Sequence, residues 1–156
     1  VLTFIYNRNI ITHNIVIKTH GGVITTTDKK EKTSAFTHLV GVIFGIIGTV
    51  LLLNNSKNSG NTATGAAFLV FGISMILLYS TSTIYHFIDK SKHKIKLIMR
   101  KLDHIMIFVF VAGTYTPICL LVLNNTIGHR LLTVVWSITI IGVFIKLFWI
   151  TAPSWV

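Results

Sequence analysis

Four long apolar stretches alternate with short polar ones along this chain, at residues 34–53, 65–88, 104–123 and 131–150, with 20, 24, 20 and 20 residues. At roughly 1.5 Å of rise per helical residue, each is long enough to cross a hydrocarbon layer of about 30 Å. The pattern predicts four transmembrane helices and an all-α, polytopic membrane bundle. Residues 1–33 show neither a helical apolar face nor the basic start, short apolar core and cleavage site of a signal peptide. Their alternating letters, Ile15 and Ile17, then Thr25 and Thr27, predict a short strand or irregular chain. This cytoplasmic segment has no assigned role.

Composition sharpens the class. Apolar letters make up 52% of the 156 residues, and Asp, Glu, Lys and Arg only 12%, about half the charged share of a soluble domain. A water-soluble globule is excluded. Lysine and arginine number 14 against 4 acids, a net charge of +10. Such a balance points to nucleic acid only where basic residues share a face with aromatic platforms. Here the basic residues flank the spans, and Lys146 is the one charged residue inside any of them. The partners expected are membrane lipids, not nucleic acid. Cys119 is the single cysteine, which excludes disulfides and cysteine-based metal sites within one chain.

The flanking charges also set an orientation, because short loops rich in Lys and Arg stay in the cytoplasm. Lys18, Lys29, Lys30 and Lys32 precede the first span, and Lys90, Lys92, Lys94, Lys96, Arg100 and Lys101 lie between the second and third. The alternate loops hold only Lys57 and Arg130. The expectation is a multi-pass cell-membrane protein with a cytoplasmic N-terminus. Lys146 would then snorkel at an inner span end, and Trp136 and Trp149 would mark the interfaces of the fourth span. Gly41, Gly45 and Gly48 give the first span a small-residue face for a neighbouring helix. Pro117 removes a backbone donor and clashes with the Gly113 carbonyl, which predicts a kink, with Thr114 or Thr116 re-satisfying the freed carbonyl.

On this orientation the intramembrane polar residues gather at the inner face: His38, then Ser82 and His86, then Asp103 and His104. Ser82 and His86 are four apart and share a helical face, and the 15 residues after Ile88 are long enough to return Asp103 to the same level. Neutral imidazole ligates zinc, and a carboxylate can take a proton from a zinc-bound water. Each residue also has a plainer reading. Asp103 would cap the third helix and pair with Lys101, Ser82 would bond back to a carbonyl one turn earlier, and Tyr85 and His86 would reach for headgroups. His38 would serve in packing. A catalytic zinc takes three protein ligands and a water, and this cluster falls short of that count.

Several motifs together resemble the hemolysin III family of bacterial membrane proteins. They are Thr37-His38-x-x-Gly41, Ser82-Thr83-Ile84-Tyr85-His86, Leu102-Asp103-His104, Ala112-Gly113-Thr114-Tyr115-Thr116-Pro117, and the stretch from Trp136 to Lys146. The resemblance covers about residues 34–156, and the family groups with the adiponectin and progestin receptors and the alkaline ceramidases. It implies a seven-helix fold, of which four spans are present, and an intramembrane zinc site. In that site His86 would be a metal ligand, and Asp103 and Ser82 would be catalytic, Asp103 acting on the bound water. The family takes its other two ligands from a His-x-x-x-His on the seventh span, and no such pair occurs here. The expectation is a piece of a longer protein, inactive alone, with part of a site for zinc-dependent hydrolysis of a lipid amide. The alternative is a non-enzymatic cytolytic or membrane-homeostasis protein.

Overall fold

The computed structural model describes residues 4–5, 16–19, 22–58, 60–89 and 91–148, with side chains from residue 30 onward. Three short strands, β1 (Phe4–Ile5), β2 (Val16–Thr19) and β3 (Gly22–Thr25), form an antiparallel sheet in that order, Ile17 pairing with Phe4 on one side and Ile24 on the other. Four helices follow: α1 (Thr26–Lys57), α2 (Thr62–Phe87), α3 (His93–Pro117) and α4 (Thr126–Phe148). All four are long and apolar enough to cross a membrane.

The helices begin earlier than hydropathy alone indicates. α1 starts at Thr26, directly after β3, so residues 26–33 are helical although they lack an apolar face. Similarly, α3 starts at His93, and only a short segment links it to α2. The 15-residue loop expected before Asp103 is mostly helix. Local chemistry fixes the other ends. Gly60 adopts φ +63° in the turn after α1, a conformation other residues rarely take. The Asn61 side chain accepts from the Ala63 amide at 2.9 Å and caps α2, and Asn125 accepts from the Gly128 amide at 3.0 Å at the start of α4.

Each helix packs on the next, α1 on α2, α2 on α3 and α3 on α4. Apart from Ile105, the buried side chains are small: Ala35, Ala67, Ala112, Cys119, and the hydroxyl residues Thr49, Ser56, Ser74, Ser82, Thr83, Thr116 and Thr139. Large side chains such as Phe36, Phe44, Ile127 and Phe148 point outward. That inversion is expected where the solvent is lipid, because burying a leucine against a helix gains little over leaving it among acyl chains. Close approach then decides the packing. A Cβ at Gly41 would lie 2.8 Å from Tyr79 Cδ1, and one at Gly45 would lie 3.2 Å from Ile76 Cγ1. Gly48 meets no neighbour within 4 Å, and the close face continues instead through Thr49, which packs against Gly72.

Two expectations about α3 and α4 are corrected. Pro117 ends the α-helix, and the chain continues through one π-helical turn, Ile118–Val122, closed by the Leu123 amide on the Ile118 carbonyl. Widening the turn absorbs the missing donor. The Thr114 and Thr116 hydroxyls donate to the carbonyls of Val111 and Ala112, not to that of Gly113. Trp136 is no interfacial marker: it sits in the middle of α4 and its indole N–H donates to Thr116 Oγ1 at 3.3 Å. Trp149 lies outside the described residues.

Candidate functional site at the basic end of the bundle

Lys96 sets the level of this end. Its ammonium donates to Glu31 Oε2 at 2.7 Å and to the Ile88 carbonyl at 3.2 Å, joining α1, the end of α2 and the start of α3. From there, at 1.5 Å per residue, Asp103 lies about 10 Å further along α3 and Ser82 about 9 Å back along α2. The two stand at a similar depth on adjacent helices.

His86 and Ser82 share a face of α2, and α1 brings His38 against it. The His38 and His86 ring centroids are 5.5 Å apart with planes at 68°. Tyr79 flanks His38 at 6.0 Å, and Tyr85 flanks His86 at 4.9 Å. The contact follows from Gly41, because a helix lacking a side chain one turn beyond His38 lets the Tyr79 ring lie against its backbone. Nδ1 of His38 and Nδ1 of His86 are both buried and have no hydrogen-bond partner. Leaving a buried polar atom unpaired costs about 1–3 kcal/mol, a cost that a ligand donating to or accepting from these nitrogens would remove.

Asp103 is half-buried in the third turn of α3, ten residues after its start. The helix-cap reading is therefore wrong: Lys92 occupies the cap position, and no ion pair joins Asp103 to Lys101 among the described residues. Ser82 is buried at 5% exposure. Thr81 and Thr83 on either side return their hydroxyls to the carbonyls of Leu77 and Tyr79. Ser82 makes no such bond among the described residues, so the back-bonding reading fails for it. His104 faces outward, its ring on the Arg100 carbonyl at 2.6 Å.

His38, Ser82, His86 and Asp103 thus share one end of α1, α2 and α3, and no hydrogen bond links them to one another among the described residues. No group of three His, Cys, Asp or Glu side chains close enough to hold a metal occurs among the described residues. The donors fit zinc in kind, through two unpartnered imidazole nitrogens, but they fall short in number. Sequence reasoning missed the Glu31–Lys96 bond, since the two residues are 65 apart. It also left open whether His38 could cross to His86.

Four apolar helices with small-residue interfaces and histidine, serine and aspartate at one end define a multi-pass membrane protein. The chain belongs to the haemolysin-III related family, whose model matches residues 26–156. That match begins at the start of α1, earlier than the motif-based resemblance from about residue 34. The chain is 40% identical over 124 residues to the hemolysin-3 homolog of Bacillus subtilis (strain 168), covering 80% of this chain and 57% of that protein. It is 36% identical over 122 residues to hemolysin-3 of Bacillus cereus, covering 78% and 55%. The chain spans about half the length of these curated relatives. No solved structure matches it.

Proposed function

We propose that this chain carries one part of an intramembrane zinc site for hydrolysis of a lipid amide. The observation that carries the reading is the pair of buried ring nitrogens of His38 and His86, without a hydrogen-bond partner among the described residues. His86 would hold the metal. Zinc, when bound, supplies Lewis-acid polarisation of a carbonyl and activation of water. Asp103, with no ion pair to a described residue, would accept a proton. Ser82, a buried residue, would donate a hydrogen bond to a substrate or ligand oxygen. The remaining ligands would come from chain that the relatives possess and this sequence does not include. The same reading sets the N-terminus in the cytoplasm of the cell, on the strength of the Lys and Arg distribution.

The relatives' names, hemolysin-3 and its homolog, favour a second reading, cytolysis without catalysis. A pore requires a continuous polar stripe along a span. Here the buried hydroxyls of Thr49, Ser74, Thr83 and Thr116 return to their own helices' carbonyls, which offers water no path. Metal analysis decides between the two. A protein extended to the relatives' length should bind one zinc per chain and lose it on His86→Ala, whereas the 156-residue chain should bind zinc weakly. Zinc absent from the extended protein, or retained after His86→Ala, would refute the hydrolase reading.

A further inference from the structure

A cavity of about 200 Å³ opens where α2 ends and α3 begins, lined by Tyr85, His93, Lys96, Leu97 and Arg100. No acidic side chain lines it. Glu31, which does not line it, is engaged by Lys96. Lys96 is held in place: two of its donors are used by Glu31 and Ile88, and its ammonium lies 5.3 Å from the centre of the Tyr85 ring. One N–H remains for a ligand. Arg100 lines the cavity, is exposed, and its guanidinium has no partner among the described residues, so its full fork of donors is available to a ligand. His93, the first residue of α3, is also exposed.

The depth of this pocket identifies its ligand. From His93 to Val122 the third span is 30 residues, about 45 Å at 1.5 Å per residue. That exceeds a hydrocarbon layer of about 30 Å by roughly ten residues. The surplus lies at the basic end, because Lys94, Lys96, Arg100 and Lys101 all precede the apolar run. The pocket therefore stands at headgroup level. Ile95, Leu97 and Ile98, each about half exposed, interleave with the basic residues and would lie against acyl chains. An aqueous polyanion would leave that apolar surface uncovered. A lipid phosphate with acyl chains below it satisfies both sets of residues.

We infer that the pocket binds the phosphate of an anionic phospholipid, with Arg100 as the principal donor, Lys96 as a fixed ammonium and His93 at the rim. The inference is independent of the zinc reading, since it uses none of His38, Ser82, His86 or Asp103. Native mass spectrometry of the purified chain, released from micelles holding equal amounts of phosphatidylglycerol and phosphatidylcholine, tests it. Phosphatidylglycerol should be retained preferentially. Arg100→Gln should weaken that retention by about tenfold, as expected for loss of a charge-assisted bidentate contact, and His93→Gln less. Arg130→Gln, at the other end of the bundle, should leave it unchanged. Equal retention of both lipids, retention unaffected by Arg100→Gln, or displacement of the lipid by an equal concentration of inorganic phosphate would each overturn the proposal.

Discussion

Gly113→Ala and Gly48→Ala add the same methyl group to membrane helices of this chain and should change stability in opposite directions. A Cβ at Gly113 would overlap Ser74 Oγ and lie 2.8 Å from Ser74 Cβ. Carbon atoms rest at about 3.5–4.0 Å, and Ser74 Cβ is tied to its backbone, so relief requires α2 and α3 to separate by roughly 1 Å. Overpacking of that kind costs about 1–3 kcal/mol. Replacing glycine by alanine within a helix returns about 1 kcal/mol. The expected net loss is about 0–2 kcal/mol, at its upper end a thirty-fold fall in the folded-to-unfolded ratio. At Gly48 nothing lies within 4 Å of the new carbon, so only the helical gain of about 0.5–1 kcal/mol remains. Reversible unfolding in mixed micelles, titrated with a denaturing detergent, measures both. Gly113→Ala stabilised by as much as Gly48→Ala would refute close backbone approach as the source of α2–α3 packing.

Three further outcomes follow from described contacts. In a double-mutant cycle with Glu31→Gln and Lys96→Met, the half-buried pair should show a coupling of about 1 kcal/mol that declines with salt; additivity of the two changes would show that the bond carries no stability. Trp136→Phe removes the indole donor to Thr116 and should cost about 0.6 kcal/mol, typical of hydrogen bonds between membrane helices, with Thr116→Ala showing little further loss in the Trp136→Phe background. Cysteines placed at Asn58 and Ser91 in intact cells should differ in access to an impermeant thiol reagent, Asn58 reacting and Ser91 protected; the reverse pattern would overturn the cytoplasmic N-terminus.

The four spans were legible because runs of 20 or more apolar residues admit few alternatives. Their ends were not. Residues 26–33 and 93–103 are helical turns carrying lysine, arginine and aspartate, and hydropathy reads such turns as loops although helix geometry continues through them into the headgroup region. Asp103 was misread for that reason: with the helix assumed to start beside it, a capping role looked natural, whereas it lies three turns inside. The spacing of Ser82 and His86 gave their common face correctly, since both belong to one helix. The meeting of His38 with His86 depends on the separation and rotation of two helices, set by Gly41 and Tyr79, and nothing local to either histidine carries that information. Trp136 was misplaced because the fourth helix begins at Thr126, five residues before the apolar stretch that marked its start.

The chain of contacts from α1 to α2, α2 to α3 and α3 to α4 matches the order in which a ribosome delivers the helices. Each newly inserted helix finds its packing surface already in the bilayer, and no helix has to wait for a distant one. Contacts of short sequence separation close quickly, so the α1–α2 hairpin, with Gly41 against Tyr79, can settle while α3 is still being synthesised. The bond from Lys96 to Glu31 is the exception, spanning 65 residues. It can form only once the first turn of α3 has emerged, and it then ties the finished hairpin to its third member before α4 enters the membrane.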